Sequence, residues 1–129
     1  MRKTTFAIVV LAAFVLTSCG GDTAESVSKD MVANMKEMGT ILSGITDEAS
    51  AKAAVPKIEA LRVKMRECGQ RAKNVLKPDA ATEQKIEEAM RSGMQEAMMS
   101  IGVAQERLMS RPELMAIIEP AMQNMDQDL

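Results

Sequence analysis

The side chains able to do chemistry in this 129-residue chain are few, and they exclude most catalytic mechanisms. The chain has two cysteines, Cys19 and Cys68, and no histidine, tryptophan or tyrosine. Without histidine, no serine or cysteine has its usual activating base, and no imidazole is present to bind a metal. Adjacent carboxylates such as Glu87 and Glu88 point to different faces of a helix, so they do not form an acid–base pair. We therefore expect no catalytic residues, no metal site and no cofactor, in a protein that is not an enzyme.

Cys19 follows a segment with the features of a secretion signal. Arg2 and Lys3 are basic, and residues 6–16 form an uninterrupted apolar run of 11 residues. At about 1.5 Å per residue, this run covers roughly half of a hydrocarbon core about 30 Å thick. The run is therefore too short to span a membrane, and it is typical of a signal peptide. Small residues up to Ser18 give a peptidase access to the bond before Cys19.

The tetrapeptide Leu16-Thr17-Ser18-Cys19, followed by Gly20, resembles the lipobox of bacterial lipoproteins. The resemblance implies that cleavage occurs after Ser18 and that Cys19 carries a thioether-linked diacylglycerol and often an N-acyl chain. Two or more acyl chains hold a protein at a membrane far more durably than one. An aspartate after the cysteine would resemble an inner-membrane retention signal. Gly20 therefore implies the cell envelope, at the periplasmic face of the outer membrane if the organism has two membranes.

Composition predicts an all-α fold for the remainder of the chain. Both phenylalanines lie in the apolar run, so the mature chain has no aromatic ring on which bases could stack, and we expect no nucleic-acid partner. Alanine, methionine, glutamate, lysine, glutamine and arginine dominate, and all favour helices. We expect an antiparallel helical hairpin or three-helix bundle with a short C-terminal fourth helix. The predicted divisions are a cleaved signal at 1–18, a lipidated cysteine and flexible tether at 19–23, and one helical domain at 24–129.

Local signals predict where the first two helices begin and end. The first runs from Ala24 to Ser43, and Gly44 ends it in a left-handed conformation. Thr46 caps the next helical segment. Pro56 lacks a backbone donor and disfavours helical geometry before it, so we expect a break or kink there. This second helix ends near Leu76.

The third helix is the longest, and two glycines interrupt its pattern. Asp79 caps it, and it runs from Ala80 to Met109. Gly93 and Gly102 each cost about 1 kcal/mol relative to alanine in a helix. They either allow a neighbouring helix to approach closely or simply loosen the helix. The sequence Ser110-Arg111-Pro112-Glu113 predicts a capping box that begins the fourth helix.

Methionines are the most unusual feature, since all but Met1 of the 13 lie in the mature chain. Most recur at spacings of three and four residues, which places them on the apolar faces of the predicted helices. They are interpreted first as core residues that fill irregular gaps. Met90, Met94 and Met98 are the alternative candidates for an adaptable surface that binds a partner or an apolar ligand. Thioethers also suit Cu(I), so a soft-metal ligand in a methionine-lined interior is a further alternative.

Charge is distributed unevenly along the chain. Residues 20–51 carry six acidic and two basic side chains, residues 52–77 carry two and eight, and the remainder carries ten and four. A basic second helix between two acidic helices favours antiparallel pairing. Alternatively, basic side chains that include Lys64 and Arg71 form a patch for an anionic lipid or another polyanion.

Cys68 is the only thiol that remains once Cys19 is acylated. It lies on the apolar face of the second helix, where it acts as a small buried hydrophobe. Alternatively, an unpaired cysteine in an oxidising compartment joins two copies of the chain as a homo-oligomer. The sequence thus predicts a membrane-anchored, non-catalytic scaffold or partner-binding module whose partner is an unknown envelope protein. The alternative is a carrier of a small apolar or Cu(I) ligand.

Overall fold

The computed structural model describes residues 21–126, and all four regular elements in this range are α-helices. The predicted all-α class is therefore confirmed, as is the short C-terminal helix. Ser18, Cys19 and the signal segment 1–18 lie outside the described residues. The helices are α1 (Ala24–Ser43), α2 (Glu48–Lys73), α3 (Ala80–Met109) and α4 (Pro112–Asp126). The first and third have the predicted bounds.

Side-chain caps determine where the first three helices begin. Thr23 Oγ1 and Asp79 Oδ1 each accept a hydrogen bond from the backbone N–H three residues later, at 3.1 and 2.8 Å. At the start of α2 the cap is Asp47 rather than Thr46, so the prediction was wrong by one residue. Asp47 Oδ1 accepts from the Ser50 N–H at 2.7 Å. A carboxylate there also complements the positive end of the helix dipole.

Of the two outcomes predicted at Pro56, a break or a kink, the break does not occur. Helix α2 continues through Pro56 and ends at Lys73, three residues before Leu76. Proline removes the donor to the Lys52 carbonyl, but both residues are exposed, so water can replace that hydrogen bond. The predicted left-handed residue is also wrong, since Gly44 has φ −76°.

The predicted capping box before α4 does not form. Ser110 instead ends α3, and its hydroxyl donates to the Arg107 carbonyl at 2.6 Å. Glu113 accepts from Arg111 Nε at 3.0 Å and does not reach back to the backbone N–H of Ser110. The Ser110 hydroxyl is therefore bonded to the end of α3 rather than to α4, which begins at Pro112, a residue favoured in a first turn.

Helix α1 lies in the middle of the molecule, between α2 and α3. The pairing of Lys64 with Glu37 shows that α2 runs antiparallel to α1, with Arg71 reaching back to Asp30. Lys36 pairs with Glu96 of α3, which runs parallel to α1. No Cα atoms of α2 and α3 lie within 8 Å of each other, whereas α4 packs on α2 and touches α3. The predicted order, with the basic α2 between two acidic helices, is therefore wrong.

The continuous core occupies only one end of the molecule. We call this the four-helix end, because α4 there closes the space between α2 and α3. The four-helix end comprises α4, α1 from Met38 onward, α2 up to Leu61 and α3 from Ala104 onward. The remaining parts of α1, α2 and α3 form the three-helix end. The largest fully buried side chains all belong to the four-helix end: Leu42, Ile45, Ile58, Leu61, Leu108, Leu114 and Ile118.

Most methionines are not in the core. Among the described methionines only Met38 and Met125 are buried, with 4% and 6% of their surface exposed. The interpretation of the methionines as core residues is therefore correct for these two. Three more are half-buried and pack against the core, namely Met65, Met115 and Met122. The interpretation is wrong for the three exposed methionines, Met98, Met99 and Met109. Leucine, isoleucine and alanine fill the four-helix end. No fourth helix covers the three-helix end, where the half-buried side chains include Met31, Met35, Met90 and Met94.

Helices α1 and α3 approach closely at two glycines. A Cβ atom on Gly93 would overlap Val32 Cγ1, and one on Gly39 would lie 2.7 Å from Ser100 Oγ. Around Gly102, by contrast, no atom lies within 4 Å of the corresponding position. Gly93 therefore permits the close approach that the sequence left open, and Gly102 does not serve this purpose.

An arginine of α3 ties that helix to the end of α1. Arg107 Nη2 donates to the carbonyls of Leu42, Ser43 and Ile45 at 3.2, 2.9 and 3.1 Å. The last turn of α1 contains no basic residue of its own. Arg107 therefore satisfies carbonyls that helix α1 leaves without an internal partner, and its charge complements the negative end of the helix dipole.

Candidate functional site

The three candidate methionines of α3 do not share one face. Met90 and Met94 are half-buried, whereas Met98 has 58% of its surface exposed. Each step of four residues along an α-helix advances the side chain by about 40°, so three such residues turn gradually away from the core. For Met98, the first interpretation of the methionines as core residues is therefore wrong.

An exposed apolar surface lies on α3. We define the α3 apolar surface as Met98, Met99, Val103 and Met109, which are 58%, 65%, 71% and 73% exposed. Grouped exposed apolar side chains are typical of interaction sites. Met99 and Val103 are not among the residues predicted from the sequence, although one signal was present. Met98 and Met99 are adjacent, and adjacent residues are about 100° apart on a helix, so a narrow stripe cannot contain both.

A cleft separates the first halves of α1 and α3. We call it the α1–α3 cleft, and its volume is about 310 Å³. Val32 lies at one end of the cleft, where it contacts Gly93 and the two helices come together. A volume of this size is at the lower end of the range for small-molecule sites. Its lining is Val32, Ile86, Ala89 and Met90, with the polar side chains Glu25, Ser28, Lys29, Thr82 and Lys85.

Lys64 and Arg71, the two basic candidates, both form ion pairs with acidic side chains in or just before α1. Lys64 Nζ donates to the carboxylate oxygens of Glu37 at 3.0 and 2.9 Å. Arg71 donates from Nε and Nη2 to Asp22 at 2.9 and 2.6 Å, and from Nη1 to Asp30 at 2.8 Å. These hydrogen bonds raise the pKa of Arg71, and the two that reach Asp22 lower the pKa of the Asp22 carboxyl. The predicted charge pairing is thus present between α1 and α2.

Cys68 is buried, with 2% of its surface exposed. Its Sγ donates to the Val27 carbonyl at 3.4 Å. Burial raises the pKa of the Cys68 thiol, and the nearby Arg71 guanidinium opposes this effect less strongly. A protonated, buried thiol is a poor nucleophile. These contacts favour the interpretation of Cys68 as a small hydrophobe over that of a bridge between two copies.

The connection between α2 and α3 lies at the tip of the three-helix end. We call residues 74–79 the basal loop, and it faces residues 21–25 across a cleft of about 720 Å³. Leu76 in this loop is 89% exposed, the largest exposure among the described large apolar side chains. Leu76 was predicted to end the second helix, and the sequence contains no indication of its exposure. Asp22 and Thr23, assigned to the flexible tether, make the specific contacts described above.

Comparisons with protein families, characterised proteins and solved structures found no match to this chain. Within residues 21–126, no helix combines the length and the hydropathy needed to cross a bilayer. Over the same range, no three histidine, cysteine, aspartate or glutamate side chains are grouped so that they could hold a metal ion. The candidate sites of the described chain are therefore its apolar surface and its clefts.

Proposed function

We propose that this protein is a lipid-anchored, non-catalytic module of the bacterial cell envelope that binds another envelope protein through the α3 apolar surface. The proposed anchor is a diacylglycerol on Cys19, exposed by removal of residues 1–18. The basic residues, the apolar run, the small residues and the cysteine, in that order, support the anchor. The observation that carries the binding role is the exposure of Met98, Met99, Val103 and Met109 on a single helix.

Physical chemistry favours a protein partner for this surface. Burying apolar surface contributes about 25 cal/mol per Å², so four exposed apolar side chains are a substantial source of binding free energy. Methionine side chains are flexible and polarisable, and they adapt to partner surfaces of different shape. More than half of the surface of each of these side chains is exposed, so it is not covered by α1, α2 or α4.

Fatty-acid labelling tests the anchor. Cells that express the wild type, Cys19→Ala or Cys68→Ala are grown with radiolabelled palmitate, and their membranes are separated from soluble material. We expect label and membrane association for the wild type and for Cys68→Ala, which controls for the other cysteine. Cys19→Ala should lose both. A labelled Cys19→Ala protein, or an unlabelled wild type recovered in the soluble fraction, would contradict the anchor.

Site-specific photo-crosslinking in intact cells tests the binding surface. A photoreactive residue replaces Met98 or Val103, and the control position is Lys57, an exposed residue of α2. We expect one discrete adduct from each α3 position and none from the control. Substituting Met99→Glu should remove the adduct, since a carboxylate in an apolar contact is costly to desolvate. The same adduct from all three positions, or none from α3, would contradict a binding role for this surface.

A second candidate function is transport or storage of a small apolar ligand, and the α1–α3 cleft favours it. Native mass spectrometry of the protein purified from its host would reveal a bound molecule, and elemental analysis would reveal copper. Ala89→Phe places a ring in the cleft and should displace an apolar ligand without affecting crosslinking through α3. A host-purified protein that carries neither a molecule nor a metal would refute the carrier function.

A further inference from the structure

We propose that the three-helix end faces the bilayer and that Leu76 inserts into the membrane interface as a second apolar contact beside the acyl chains. This inference rests on the lipid anchor proposed above. It goes further, because an anchor alone leaves the orientation of the domain open.

Chain length places the anchor at this end. The described chain begins at Gly21, and Cys19 precedes it by two residues. Two extended residues span at most about 7 Å, so acyl chains on Cys19 would lie close to Gly21. Gly21 itself lies at the three-helix end, across a cleft from the basal loop.

A charged hydrogen-bond pair fixes the start of the chain against α2. Arg71 holds both carboxylate oxygens of Asp22, at 2.9 and 2.6 Å, from the last turn of that helix. A bidentate pair constrains orientation as well as distance. The residue that follows the anchor by three positions is therefore held beside the helix that leads directly into the basal loop.

Leu76 is the side chain that this arrangement presents to the membrane. It is 89% exposed, whereas its neighbours Val75 and Pro78 are half-buried against the protein. The charged side chains near Leu76 have both signs. Lys73 and Lys77 are basic, Asp79 caps α3, and Asp22 pairs with Arg71. Because these charges largely offset one another, the membrane contact should depend on apolar insertion and not on anionic lipid.

Spin labelling measures the depth of Leu76 directly. The acylated full-length protein, purified with a Cys68→Ala background, is reconstituted into phosphatidylcholine vesicles. A nitroxide is attached at Leu76→Cys or, as the control, at Met109→Cys, which is 73% exposed at the opposite end of α3. Power-saturation measurements then compare collisions with oxygen, which concentrates in the bilayer, and with a water-soluble nickel chelate.

We expect the label at position 76 to collide mainly with oxygen and only rarely with the nickel chelate. The label at position 109 should collide freely with the nickel chelate, because it remains in water. Replacing a quarter of the lipid by an anionic lipid should not change this result. If the protein floats with the vesicles and both labels report water, the orientation is refuted and the anchor stands. If the purified protein carries no acyl chain, the anchor fails and the inference fails with it. Thermal unfolding followed by circular dichroism confirms that both labelled variants are folded.

Discussion

The two glycines of α3 allow a sharp test of the packing, because the same substitution should have opposite effects at the two positions. In a helix interior, alanine is more favourable than glycine by about 1 kcal/mol. At Gly102 no atom lies within 4 Å of the new Cβ, so Gly102→Ala should raise the free energy of unfolding by about that amount.

At Gly93 the new methyl group would overlap Val32 Cγ1, and Cγ2 lies 3.4 Å away. Valine has one strongly preferred rotamer in a helix, so it cannot easily turn both methyl groups aside. Overpacking of this kind costs about 1–3 kcal/mol, which exceeds the gain in helix propensity. Gly93→Ala should therefore lower the free energy of unfolding by about 1 kcal/mol, which leaves roughly 2 kcal/mol between the two variants.

Urea unfolding followed by circular dichroism gives both free energies, and thermal unfolding gives a second measure. For a domain of about 100 residues, 1 kcal/mol corresponds to about 4–8 °C, so the two midpoints should differ by about 10 °C. Val32→Ala provides the matched control, since it removes both methyl groups that the new Cβ meets. On that background Gly93→Ala should become stabilising.

Two results would refute this reasoning. If Gly93→Ala stabilises the wild-type chain as much as Gly102→Ala does, then α1 and α3 do not approach closely at this position. If Gly93→Ala is destabilising but Val32→Ala does not reverse its sign, the cost arises from some contact other than the one with Val32.

Three further predictions concern helix ends and the buried thiol. Arg107→Ala should lower the free energy of unfolding by about 1 kcal/mol in urea, because three carbonyls lose their donor. Cys68 should react with iodoacetamide at pH 8 much more slowly in the folded protein than in urea, because burial raises the pKa of its thiol. Hydrogen bonds lower the pKa values of Asp22, Asp47 and Asp79 in the folded state, so the stability they contribute is present above about pH 4 and is lost as the pH falls through their folded values.

Each of these predictions has a clear contrary result. Arg91→Ala, at an exposed position of α3, is the control for Arg107→Ala, and equal losses would exclude a specific role for Arg107. Equal rates of alkylation in folded and unfolded protein would show that Cys68 is accessible. A thermal midpoint that stays constant from pH 5 to pH 2.5 would show that the three carboxylates do not support folding.

Apart from the all-α class and the charge pairing between α1 and α2, the features predicted correctly from the sequence are local ones. The bounds of α1 and α3 and the cap at Asp79 depend on residues within a few positions of each helix end. Two incorrect predictions at helix ends and interiors also have local causes, because charge or solvent exposure outweighs the simple preference of a residue type. Asp47 displaced Thr46 as a cap because a carboxylate complements the helix dipole. Pro56 is tolerated within α2, where both it and Lys52, whose carbonyl loses its donor, are exposed residues.

The arrangement of the helices could not be predicted, because every apolar face in the chain repeats at three and four residues and none specifies its partner. Only contacts between distant residues, such as Val32 with Gly93, place α1 in the middle. The exposure of Leu76 depends on which parts of the molecule are covered by other helices, and the sequence contains no separate signal for it. For Met98 the only signal is the adjacent Met99, which shows that one narrow stripe cannot contain both residues. Cys19, by contrast, is recognisable only from sequence, since it lies outside the described residues.

The restriction of the continuous core to the four-helix end has a consequence for local unfolding. Segments with few buried apolar contacts open at lower free energy than the global transition, often as cooperative units. At the three-helix end, the buried apolar side chains outside that core are Val27, Cys68 and Ala97. Amide protons there should exchange with solvent through partial openings that leave the other end intact. If the anchor lies where we propose, the most easily opened part of this protein is the part nearest the lipid.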